Sequence, residues 1–163
     1  MRVSIQNLRG ERLKKLLVEV SPKFCRRYLL VVRPSLGTSQ TLHTFLARLA
    51  PSILSRRQVS EWPGTQLLDG ELADVYEGEL SHHATKTFAA SVGSLLDFQQ
   101  PALPEDLSLL REDGSPWLIT CAHEGDIYLE LSEQELTEIQ KNFQLDGVKL
   151  KLWYTYSGEA VFI

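Results

Sequence analysis

The sequence predicts an α+β fold: a single domain over residues 1–163, with a mainly antiparallel or mixed sheet flanked by about four helices. Three observations carry that expectation. Helical and strand periodicities both recur along the chain. The later strands are short and joined by turn signals rather than by helical crossovers, which favours α+β over a doubly wound architecture. A chain of 163 residues with 43% hydrophobic content can bury one substantial core without metals or disulfides, whereas two independent cores would be cramped.

Val3 and Ile5 alternate with Ser4 and Gln6 as in a short strand. Leu13, Leu16, Leu17 and Val20 recur at helical spacing over Glu11 to Val20, with Pro22 marking the expected exit. Arg27 to Arg33 reads as a buried strand ended by Pro34. Ser39 is a candidate cap for a helix over Gln40 to Ala50, whose core face is Leu42, Phe45, Leu46 and Leu49.

Residues 51–70 are less regular. Trp62-Pro63-Gly64 and Asp69-Gly70 punctuate an expected loop that packs Trp62 over the core. Leu72 to Leu80 alternates as a strand, and Thr85 to Phe98 is helical apart from Gly93. Leu107 to Arg111 and Pro116 to Cys121 flank Asp113-Gly114, the clearest hairpin signal in the chain. A strand over Asp126 to Leu131 precedes Ser132 and Glu135, three apart as in a capping box, and a helix from Glu133 to about Asn142. Asp146-Gly147 makes a turn before a strand over Val148 to Tyr156, and Ala160 to Ile163 pairs with it across Ser157-Gly158.

Composition removes several classes. The longest apolar stretch, Tyr28 to Val32, is far short of the 18 or so residues of a membrane span. The N-terminal residues lack the apolar core of a signal peptide, so a cytoplasmic location is expected. Cys25 and Cys121 form no CxxC pair and are expected as reduced thiols.

The net charge of -4 hides a strong polarity. Met1 to Arg57 carries 12 Lys or Arg against two acids, whereas Gln58 to Ile163 carries five against 19. Either the basic third faces a polyanion, or the two segments neutralise one another in the fold.

Candidate sites follow from these features. The densest polar run, Cys121-Ala122-His123-Glu124-Gly125-Asp126, lies between two expected strands, where a nucleophile, a base and carboxylates could meet; the bland alternative is a buried cysteine beside a turn histidine. His82 and His83 lack the i, i+4 spacing of a helical metal pair and read first as helix-start contacts. Arg26, Arg27, Arg56 and Arg57 are the candidates for a basic face, with no nucleic-acid-binding motif beside them. No cofactor and no metal site are expected.

The leading expectation is a non-enzymatic protein-binding domain, similar in type though not in motif to toxin-neutralising immunity proteins. It would bind another protein through an acidic surface that includes Glu77, Glu79, His82, His83, His123, Glu124 and Asp126. The alternatives are a small enzyme or ligand-binding protein with a pocket of His82, His83, Cys121 and His123, and a nucleic-acid-associated protein using the basic third.

Overall fold

In the computed structural model, which describes residues 1–142, 149–153 and 161–162, eleven short strands and the helices follow the expected order, with three further strands in the segment expected as a loop. They are β1 (Arg2–Gln6), β2 (Arg27–Val32), β3 (Ile53–Val59), β4 (Glu61–Trp62), β5 (Thr65–Gln66), β6 (Ala73–Glu79), β7 (Glu105–Leu110), β8 (Pro116–Cys121), β9 (Asp126–Glu130), β10 (Lys149–Trp153) and β11 (Val161–Phe162). Nine of them form one sheet in the order β11-β10-β1-β9-β8-β7-β2-β6-β3, and every described pairing in it is antiparallel. β4 and β5 form a separate two-stranded hairpin. The helices are α1 (Glu11–Lys15), α2 (Ser21–Phe24), α3 (Gln40–Leu49), α4 (His82–Ser91) and α5 (Glu133–Asn142).

The sheet separates two apolar clusters. Leu13, Leu16, Leu17 and Val20 from the first helical segment, Phe45 and Leu49 from α3 and Ala84 and Phe88 from α4 pack against Val3, Ile5, Tyr28, Leu30, Leu109 and Leu129 of the sheet. Phe88 sits at the centre, edge-on to Tyr28 at 5.0 Å and to Phe98 at 6.1 Å. A smaller cluster of Leu29, Val31, Ala73, Val75, Leu110 and Trp62 holds the β4–β5 hairpin. Trp62 is thus buried, as the sequence predicts, but by a hairpin rather than a loop.

Three local expectations are met in detail. Ser39 accepts the Leu42 N–H at the start of α3. Ser132 and Glu135 form a reciprocal capping box, with backbone-to-side-chain bonds of 2.8 and 3.1 Å. Gly114 takes φ +85° in the β7–β8 turn, a conformation that favours glycine.

Three others are corrected. Pro22 does not end the first helix: a π-helical turn over Leu16–Val20 joins α1 to α2, and Ser21 Oγ donates to the Leu17 carbonyl at 2.9 Å. Widening the backbone around the prolyl ring avoids the clash that a regular helix would suffer there. The expected helix over Thr85 to Phe98 instead starts at His82, capped by Ser81, and stops at Ser91. A single 3-10 turn over Leu95–Asp97 follows, closed by reciprocal Ser94 and Asp97 bonds. Finally, the segment read as a loop contains β3, an edge strand exposed along most of its length, which leaves it no hydrophobic alternation to recognise. The expected turns at Asp146-Gly147 and Ser157-Gly158, and the outer ends of the strands around them, lie outside the described residues.

The charge polarity is resolved by strand order. Acidic β6 lies between β2 and β3. Arg27 of β2 pairs with Glu77 at 2.6 Å, and Arg56 and Arg57 of β3 pair with Asp74 and Glu77 at 2.8 and 4.0 Å. Just beyond β2, Arg33 grips Glu71 through Nε and an Nη. Four arginines of the basic third thus meet three carboxylates of the acidic remainder on or beside neighbouring strands.

Candidate functional site

The side of the sheet opposite the helices carries the densest chemistry, where β7, β8 and the turn after β8 meet the β4–β5 hairpin. The key side chain is Asp106. Leu29 pairs with Ser108 and Val31 with Glu105, so Asp106 and Leu107 together oppose Leu30 in a β-bulge. Asp106 takes φ +46°, a left-handed conformation uncommon outside glycine, though Asp is among the residues that tolerate it. Glu105 is in register with Val31 and Asp106 reaches Trp62, so the bulge brings two consecutive carboxylates to the hairpin side.

A carboxylate this buried needs donors to replace water. Asp106 Oδ2 accepts the Trp62 indole N–H at 3.1 Å and the Thr65 hydroxyl at 3.4 Å, both from the hairpin. Asp106 Oδ1 accepts the Ala122 backbone N–H at 2.9 Å. That last bond fixes the start of a 3-10 turn, Ala122–Glu124, which Gly125 ends in the left-handed conformation. Asp106 thereby positions the turn that carries His123 and Glu124.

Cys121 lies at the centre of the group. Its Sγ is 3.6 Å from Thr65 Oγ1 and nearly equidistant from the two ring nitrogens of His123, at 3.7 and 3.8 Å. His123 Nε2 is also 3.8 Å from Glu124 Oε1. One ligand atom each from Asp106, Cys121 and His123 fall within 4.8 Å of one another, with Asp106 and Cys121 buried and His123 exposed. Burial pushes the Cys121 thiol up to about 11, and the neighbouring Asp106 and Glu124 carboxylates push the same way against the Thr65 bond. Cys121 is therefore a thiol at neutral pH, not a ready-made nucleophile. Burial also raises the Glu105 carboxyl above its ordinary range, opposed by the Gln100 N–H that it accepts at 2.7 Å.

Beside Cys121 opens a cavity of about 200 Å³ lined by Arg2, Ser4, Gly64, Cys121, Glu124, Asp126, Ile127 and Tyr128. Gly64 is its roof. A Cβ there would meet Ile119 Cγ2 at 2.9 Å and the Tyr128 hydroxyl at 3.1 Å, and φ is +87°, so the hairpin closes this far only with glycine.

The predicted site residues divide sharply. Cys121 and His123 join one cluster, with Glu124 and Asp126 on the adjoining cavity wall. His82 and His83 are not members of it: they open α4, and His83 Nε2 bonds the Arg48 carbonyl of α3 at 2.8 Å. Glu77 is held between Arg27 and Arg57, and Glu79 is exposed at the end of β6. Of the basic candidates, Arg27, Arg56 and Arg57 are in the cross-strand ion pairs, and Arg26 turns back onto the Pro22 and Cys25 carbonyls.

The sequence offers Asp106 only as one carboxylate among many, just ahead of the strand expected over Leu107 to Arg111, and it takes the bulge and the Trp62 contact to single it out; Trp62 itself is legible as punctuation but not as a hydrogen-bond donor to a carboxylate. No protein-family model matches the chain, and no curated protein or solved structure matches it. Among the described residues, no helix is long and apolar enough to cross a membrane.

Proposed function

We propose that this is a ligand-binding protein whose site takes a divalent transition-metal ion of the zinc class on Asp106, Cys121 and His123. The observation that carries the reading is the mixed donor set, one carboxylate oxygen, one sulfur and one imidazole nitrogen within 4.8 Å of one another. Sulfur and imidazole together favour zinc or cobalt over magnesium and calcium, which prefer all-oxygen sites.

Two further features support it. Asp106 is oriented by Trp62, Thr65 and the Ala122 N–H, the outer-shell arrangement that fixes a ligating carboxylate before the ion arrives. Three protein ligands leave a fourth position to an exogenous group, and Cys121 borders the cavity through which such a group can enter. Binding displaces the Cys121 thiol proton to solvent, leaving the thiolate on the ion.

Cobalt titration of chelator-treated protein tests the reading. The expected result is one equivalent bound, with a thiolate-to-cobalt charge-transfer band in the near ultraviolet that is absent in Cys121→Ser. His123→Ala, at an exposed position, weakens binding at least tenfold, about 1.4 kcal/mol. Absence of the charge-transfer band, or its persistence in Cys121→Ser, overturns the assignment.

A further inference from the structure

The cavity beside Cys121 has a charge pattern of its own that the metal reading does not use. Arg2 from β1 contributes a guanidinium, which lies 4.3 Å from the Tyr128 ring centroid and gives one Nη to Glu130 at 2.8 Å. Glu124 and Asp126, from the turn after β8 and the start of β9, contribute two carboxylates to the same cavity. The Ser4 and Tyr128 hydroxyls stand between them in the register, because Ser4 pairs with Tyr128 across β1 and β9. Positive and negative groups thus line one concave space of about 200 Å³ under the Gly64 roof.

We infer that this cavity binds a small zwitterion of the free amino-acid class, its carboxylate on Arg2 and its ammonium between Glu124 and Asp126. A purely anionic ligand would meet two carboxylates, and a purely cationic one would leave unused the guanidinium N–H groups that Arg2 does not give to Glu130, so a ligand bearing both charges complements the wall best. The Ser4 and Tyr128 hydroxyls supply further donors to the carboxylate end. The volume suits a molecule of amino-acid size, well below the range of drug-sized pockets. This inference does not rest on the metal reading, since its groups are in place without an ion.

Calorimetric titration of chelator-treated protein with the free amino acids tests it, each bound ligand being compared with its decarboxylated amine and its deaminated acid. The expected result is saturable binding of at least one amino acid, at least tenfold tighter than either counterpart, or about 1.4 kcal/mol. Arg2→Gln and the double variant Glu124→Gln, Asp126→Asn each weaken binding at least tenfold, whereas Glu133→Gln, on α5, leaves it unchanged. Matching thermal melts for the variants show that each still folds. Ser4→Ala, which leaves every ion pair intact, gives a smaller loss in the same direction. The inference is overturned if no amino acid binds at about 10 mM, a limit of roughly 3 kcal/mol, or if the amine or the acid alone binds as tightly. Because no metal is present, failure here leaves the cobalt result standing, and the converse holds.

Discussion

The Trp62 indole N–H donates to the Asp106 carboxylate at 3.1 Å, across 44 residues of sequence, and this bond ties the β4–β5 hairpin to the bulge in β7. Both residues are buried, so the bond links hairpin docking to the geometry of the candidate site.

Asp106→Ala removes the acceptor from both the Trp62 indole and the Ala122 N–H. Two buried donors left without partners predict a loss of about 2–4 kcal/mol, read as a lower urea midpoint. Trp62→Phe removes one donor, keeps most of the apolar contact, and is expected to cost about 1–2 kcal/mol. A midpoint unchanged in Asp106→Ala would mean that the bonds contribute nothing net.

Gly78 lies in β6 directly over Tyr28. A Cβ there would stand 2.1 Å from the Tyr28 ring, whose hydroxyl is fixed to Ser52 Oγ at 2.9 Å. Gly78→Ala therefore forces a buried ring to move and predicts a loss of about 2–3 kcal/mol by chemical denaturation. Tyr28→Leu combined with Gly78→Ala should lose less than the sum of the two single changes, because the clash is then gone.

Two carboxyls, the half-buried Glu135 and the buried Glu105, predict opposite pH effects. Burial pushes Glu135 up, but the two-pronged Arg111 contact at 2.8 and 2.9 Å and the bonds to Ser132 together outweigh it, and its pKa ends below the ordinary 4.5. Its contribution is present above pH 4.5 and lost as the pH falls through the lower folded value. Glu105 is raised above 4.5, chiefly by burial, so its carboxyl favours folding below pH 4.5 and that advantage disappears as the pH rises through the folded value. Glu135→Gln is expected to destabilise at pH 7 by about 2 kcal/mol, with the gap narrowing in acid. Glu105→Gln is expected to stabilise at pH 7 by up to about 1 kcal/mol, since the amide oxygen still accepts from Gln100 N. Denaturation curves at pH 3.5 and 7 decide both signs.

Cys25 and Cys121 are both free and buried, and burial raises both thiols. Ellman's reagent should label neither at an appreciable rate in the folded protein at neutral pH, and both once it is unfolded in urea. Prompt stoichiometric labelling of folded protein would show that the hairpin opens readily above Cys121.

Much of the fold was legible because its signals are local. The Ser39 cap, the Ser132–Glu135 box and the Asp113-Gly114 turn each depend on residues a few positions apart, and each forms. β3 was not legible, because an exposed edge strand rich in Ser, Arg and Gln buries no alternating face. The first helix was misjudged at Pro22, where a π-turn rather than a break relieves the ring. At the site, Cys121, His123, Glu124 and Asp126 stood out as a polar run, whereas Asp106 and Arg2 join them only through strand pairing.

By itself the sequence determined the element types, most of their boundaries and the charge polarity, since periodicity, capping and turn chemistry act over a few residues. Tertiary structure decided what those elements do to one another. Strand order placed acidic β6 between basic β2 and β3 and so paired Arg27, Arg56 and Arg57 with Asp74 and Glu77. A one-residue bulge turned Asp106 toward Trp62, and the hairpin folded over Cys121. Side chains far apart in the chain share a site only when backbone pairing fixes their register, and that register is a property of the whole sheet.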